Sequence, residues 1–107
     1  MTQRQAHLRS RAASDVDDAI AYLRGDASDA VARAFIDALE VGINHIARSP
    51  HAGSLRFAYD LGIPELRAWS LKRFPYMIFY VALGDRIDIW RVLHTRRDMP
   101  GTFTADD

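Results

Sequence analysis

The sequence predicts an α+β fold: a short N-terminal strand, then an antiparallel helical hairpin packed on one face of a four-stranded, mainly antiparallel sheet. Three observations predict it. Apolar residues recur every three or four positions between residues 14 and 48, the pattern changes to alternation after Pro64, and Gly84-Asp85 makes a tight turn between two strand-like runs. Strands that follow one another through short turns pair antiparallel, and two helices placed before them can cover only one face of such a sheet.

Each element has its own signal. "QAHLRSRA" alternates briefly, which predicts a strand over residues 3–9. "SDVDDAIAYLRG" predicts a helix in which Ser14 is the N-cap, Asp17 the reciprocal member of a capping box and Gly25 the left-handed stop. Val16, Ala19, Ile20 and Leu23 then fall on one stripe. A second helix is predicted over Asp29–Arg48, with Val31, Phe35, Leu39 and Ile46 on its main apolar line, Ile36 and Ile43 beside that line, and Arg33, Asp37, Glu40, Asn44 and Arg48 opposite. Pro50 ends it. The short link between the two helices makes them an antiparallel hairpin. Residues 50–64 carry two prolines and two glycines and read as a long connector. "ELRAWSLK", "YMIFYVAL" and "RIDIWRVLH" are the three later strands, and residues 100–107 are expected to fray.

Composition narrows the function. The 107 residues are expected to form a single domain over 1–107, and without cysteine the chain has no disulfide framework, thiolate metal site or cysteine nucleophile. His7, His45, His51 and His94 lack the spacing of a metal site, and no glycine-rich loop cradles a phosphate, so neither metal nor cofactor is expected. No run reaches the roughly 18 apolar residues of a membrane span, which predicts a cytoplasmic protein without membrane contact. The formal net charge is zero, yet residues 12–47 hold seven acids against two arginines and residues 66–97 hold seven bases against two aspartates. Such a dipole can steer an acidic partner toward the second half of the chain.

The candidate binding face follows from alternation. In "YMIFYVAL", Met77, Phe79 and Val81 form a wholly apolar set, expected against the helices, which leaves Tyr76, Ile78 and Tyr80 on the other side. Arg67 and Trp69 of the preceding strand and Lys72 and Arg73 of the following turn would surround those tyrosines. In the last strand Ile87, Ile89, Arg91 and Leu93 alternate with Asp88, Trp90, Val92 and His94. The exit "HTRRD" gathers His94, Arg96, Arg97 and Asp98, which fits either a phosphate held by arginines or internal pairing with Asp98. Tyrosines on a sheet equally suit a solvated face that binds nothing.

Over residues 6–98 the chain resembles the RelE/ParE superfamily of toxins from type II toxin–antitoxin pairs. "SRAASDVDDAIAYL" is similar to the family's opening segment and "ARSPHAG" to its Pro-x-x-Gly after the second helix. "LRAWSLKRFPYMIFYVALGDRIDIWRVLHTRRD" resembles the ParE branch through Leu66, Arg67, Phe74, Pro75, Tyr76, Ile78, Tyr80, Ile87, Ile89, Arg91, Val92, His94, Arg97 and Asp98. That resemblance implies a RelE/ParE-like fold and a growth-arresting toxin that inhibits DNA gyrase by binding, without a catalytic residue. It implies a ParD-like antitoxin in a hetero-oligomeric complex, and operator DNA contacted only through that antitoxin. Arg67, Trp69, Lys72, Arg73, Tyr76, Tyr80, Arg91, His94, Arg96 and Arg97 are then the expected target-binding residues. Ile20, Leu23, Ile36 and Ile43 are expected to meet the antitoxin. The alternatives within the same superfamily are a RelE-like ribosome-dependent mRNA endoribonuclease and a degenerate toxin kept for its antitoxin complex.

Overall fold

A computed structural model describes residues 4–97. Its elements run β1 (Gln5–Leu8), α1 (Ser10–Asp26), α2 (Asp29–Arg48), α3 (Ala58–Leu61), β2 (Arg67–Ser70), β3 (Tyr76–Leu83) and β4 (Arg86–His94). The strands form one sheet in the order β1-β4-β3-β2, with β1 parallel to β4 and the other pairings antiparallel. The α+β expectation therefore stands, as does the turn at Gly84, whose φ of 54° suits the left-handed region. Asp98 and the tail at 100–107 lie outside the described residues.

Helix α1 departs from its expected start and stop. It begins at Ser10, directly after the strand, with Arg9 at the cap position and no side-chain cap. The Arg9 N–H continues the sheet ladder to the Ile89 carbonyl at 2.9 Å. The run "SRAAS" contains good helix formers, so the helix extends a turn upstream and Ser14 lies within it instead of capping it. Gly25 is helical too, and the helix ends at Ala27, whose N–H reaches the Leu23 carbonyl. Helix α2 has the expected bounds and is capped by Ser28, whose hydroxyl oxygen accepts from the Val31 N–H at 3.1 Å.

The expected faces of β3 are inverted. Tyr76, Ile78 and Tyr80 belong to the cluster that contains Ala19, Phe35, Leu39 and Ile46 of the helices, and the Phe35 and Tyr76 ring centroids lie 5.0 Å apart. Met77, Phe79 and Val81 face the opposite way, against Ile63, Leu66 and the partly buried Phe57 and Leu61 of the connector. Both faces of β3 are apolar because both are covered, one by helices and one by the connector with α3. Alternation separates two such sets without saying which cover each receives. Ile20, Leu23, Ile36 and Ile43 are likewise partly buried against the helix-side cluster.

A bulge changes the phase of β4. Phe79 lies opposite Arg91 and Tyr80 opposite Ile89, so Trp90 is the extra residue. Beyond it Val92 joins Ile87 and Ile89 on the helix side, while Leu93 joins the connector side. Strict alternation had paired these residues the other way. His94 follows Val92, and its ring meets Tyr76 edge-on with centroids 5.1 Å apart.

Candidate functional site

The residues expected on one target face fall into three places. Arg67 and Tyr80 form a clamp on the connector. Tyr80 is fully buried; its hydroxyl donates to the Pro50 carbonyl at 2.8 Å and accepts from the Gly53 N–H at 3.0 Å. Arg67 Nη1 donates to the carbonyls of His51 and Gly53 at 3.1 and 2.9 Å, while its Nη2 lies 3.1 Å from His51 Nδ1. These two side chains hold residues 50–53 against the edge of β2. The reading of Tyr80 as a solvent-facing residue is thus corrected, because its face is the one the helices cover.

Burial pushes the Tyr80 phenol above its ordinary value of 10.0, outweighing the Gly53 N–H and the Arg67 charge, which both favour the phenolate. In the unfolded chain the proton is lost first, so this residue's contribution to stability is intact below pH about 10 and declines as pH rises through the higher folded value. Tyr80→Phe should flatten that alkaline decline, read as the change in urea midpoint between pH 8 and pH 11. An equally steep decline in the variant would show that another group causes it.

The second place is a cleft of about 260 Å³ between α1 and the end of β4, lined in part by Asp15, Asp18, Tyr22, Tyr76, Arg91 and Arg97. Arg91 is buried there and held by Asp15, with Nε to Oδ2 at 2.7 Å and Nη2 to Oδ1 at 2.9 Å. Asp15 Oδ2 also accepts from the Val92 N–H at 3.0 Å, where β1 has already ended and offers β4 no partner. Arg97 lies over the Tyr22 ring, 4.2 Å from its centroid, and donates to the Tyr76 hydroxyl at 3.2 Å. His94 Nδ1 accepts from the N–H groups of Arg96 and Arg97 at 3.1 and 3.2 Å. An Nδ1 that accepts carries no proton, so the neutral ring keeps its proton on Nε2.

The third place brings Trp69, Lys72 and Arg73 together. They line a groove of about 500 Å³ between the outer side of α2 and the β2–β3 turn, along with Val41, Gly42 and His45. Trp69 stacks on His45 with centroids 4.4 Å apart. Lys72 and Arg73 are exposed, and neither side chain has an ion pair or hydrogen bond among the described residues. Arg73 adopts φ 71°, a conformation that costs a residue with a Cβ roughly 1 kcal/mol or more. The Thr95 N–H donates to the Pro75 carbonyl at 2.8 Å, which ties the exit carrying Arg96 to this same turn.

The sequence reading missed the α2 side of that groove. Ala34, Ala38, Val41 and His45 recur at helical spacing as a second stripe, between the core line and the polar line, and that spacing was the available signal. Among the described residues, no group of acids and histidines is placed to hold a metal ion, and no helix is long and apolar enough to cross a membrane.

A family model described as the ParE toxin of the type II toxin–antitoxin system parDE matches residues 7–99. No curated protein matches the sequence. Among solved structures, the chromosomal ParDE toxin–antitoxin system from P. aeruginosa is similar, with a TM-score of 0.73 and 17% identity over 88% of this chain and 98% of that one. At that identity the likeness is one of fold.

Proposed function

The chain belongs to the ParE toxin family of type II toxin–antitoxin systems, and from that premise we propose that it is a cytoplasmic inhibitor of DNA gyrase that acts by binding and is neutralised by a ParD-like antitoxin. One observation carries the choice of binding over RNA cleavage. The groups that phosphodiester chemistry would draw on are engaged within the fold: Arg91 on Asp15, Arg67 on the connector backbone, His94 Nδ1 on two turn amides and the Tyr80 hydroxyl on Pro50. Lys72, Arg73 and Arg96, by contrast, stand exposed around one turn. Exposed cations of this kind suit an acidic protein surface and govern encounter more than chemistry. The target face is therefore assigned to Lys72, Arg73 and Arg96, with Trp69 beside them.

Two assays run in parallel test this. Purified chain should inhibit supercoiling by gyrase, and Lys72→Ala with Arg73→Ala should weaken inhibition about tenfold or more at unchanged folded fraction. The same protein should leave messenger RNA intact in a reconstituted translation system. RNA cleavage there, lost on Arg91→Ala but retained by a folded Lys72→Ala variant, would transfer the chain to the endoribonuclease reading.

A further inference from the structure

We propose that His94 is the positioning residue of the target face: without touching the target, its unprotonated Nδ1 holds the chain exit in the shape that sets Arg96 beside Lys72 and Arg73. This rests on the reading of those three cations as the surface that meets gyrase.

The sheet stops at His94. Its pairing with Tyr76 is the last between β3 and β4, and β1 has already ended opposite Ile89. A chain released from its ladder can leave in many directions, and ordering it is costly in entropy. Three contacts select one direction. His94 Nδ1 accepts from the N–H groups of Arg96 and Arg97 at 3.1 and 3.2 Å, which closes a turn in the way that an N-cap oxygen closes the start of a helix. The Thr95 N–H donates to the Pro75 carbonyl at 2.8 Å and joins that turn to the one between β2 and β3. Arg97 lies over the Tyr22 ring at 4.2 Å and donates to the Tyr76 hydroxyl at 3.2 Å, so its side chain anchors the exit on α1 and β3.

Arg96 is the residue this arrangement leaves over. Its backbone N–H is held by His94, while its side chain is exposed and has no partner among the described residues. Lys72 and Arg73 stand the same way on the neighbouring turn. Two turns tied to each other therefore present three cations on backbone that is already ordered, and a partner that binds them is spared the ordering. Arg96 released from its turn would keep its charge but lose its place relative to Lys72 and Arg73.

The cap makes a chemical demand that bulk alone does not. Nδ1 is bonded to Cγ, where asparagine also carries its side-chain oxygen, whereas the oxygen of glutamine lies one bond further out, as Nε2 does. His94→Asn therefore keeps an acceptor for the two amides, of the kind asparagine supplies in turns, and His94→Gln does not. Both variants lose the ring that meets Tyr76 edge-on, so loss of packing does not separate them.

The test makes two measurements on the full chain: amide hydrogen exchange at Arg96 and Arg97, and inhibition of gyrase supercoiling normalised to the folded fraction. In His94→Ala and His94→Gln the two amides should exchange about tenfold faster and inhibition should weaken about five- to tenfold, while His94→Asn restores both to within about twofold of wild type. Arg96→Ala should weaken inhibition by itself, and adding His94→Ala to it should lower inhibition by no more than about a further twofold, because the histidine acts through the arginine. Losses that multiply in the double variant would make His94 a direct contact and overturn the proposal. Rescue by His94→Gln in place of His94→Asn would overturn it too, as would wild-type inhibition by a folded His94→Ala variant. Should the alanine variant not fold, the asparagine and glutamine variants decide by themselves, and equal inhibition by those two overturns the proposal. A wild-type chain that leaves gyrase active defeats the reading of the function and this proposal with it. Amides of Arg96 and Arg97 that exchange freely in a chain that does inhibit gyrase defeat this proposal alone.

Discussion

Asp15→Ala is expected to cost about 3–5 kcal/mol of stability, the range for removing one partner of a buried ion pair. The Arg91 and Asp15 side chains are only 8% and 13% exposed, and two hydrogen bonds join them at 2.7 and 2.9 Å. Removing the carboxylate leaves the guanidinium in a poorly hydrated position without its bidentate partner. It also strips the Val92 N–H of its acceptor, at a point of β4 that β1 does not reach. Asp15→Asn keeps the shape and part of the hydrogen bonding, so it should lose less. Urea unfolding gives the comparison, with the slope of the transition as a check that the denatured state is unaltered. An alanine variant within 1 kcal/mol of the wild type would mean that water or a rearranged neighbour replaces Asp15.

Gly53→Ala is the second substitution expected to have a large effect, about 3 kcal/mol from overpacking. A Cβ at this position would lie 2.7 Å from the Tyr80 hydroxyl oxygen, 2.9 Å from its Cε1 and 3.0 Å from Arg67 Cβ. Tyr80 has no room to retreat, since its ring is fully buried and its hydroxyl is bound on both sides. The clamp on the connector should loosen and uncover the Phe79 side of the sheet. In the double variant Gly53→Ala/Tyr80→Phe the closest contact disappears, so its loss should be smaller than the two single losses added together. Additive losses would place the strain on Arg67 rather than on the phenol.

The extent of the candidate site legible in the sequence differs residue by residue. Trp69, Lys72 and Arg73 are near neighbours in the chain, and a turn keeps such residues together, so their grouping could be read directly. Arg91 could not be recognised as a structural residue, because its partner Asp15 lies 76 positions away on another element. Tyr80 was misread for a similar reason: its hydroxyl finds Pro50, 30 positions away, and that pairing is what allows a phenol to be fully buried. Val41 and His45 went unassigned because a helix with two apolar stripes looks the same whether the second meets the sheet or faces solvent.

By itself the sequence determined the order of the four strands and the two long helices, though not the short helix α3 within the connector, together with the bounds of α2, the turn at Gly84, the α+β class and the family resemblance. These rest on local signals such as caps, turn residues and the period of the apolar pattern, which act over a few residues. Only the tertiary structure decided which face of β3 meets the helices, how the bulge at Trp90 changes the phase of β4, and which arginines, histidines and tyrosines are already engaged. Alternation with period 2 is symmetric between two faces when both are apolar, and the symmetry is broken only by which segment packs on each. That choice is made by contacts between residues far apart in the chain, such as the helices on Tyr76 and Tyr80 and the connector on Phe79.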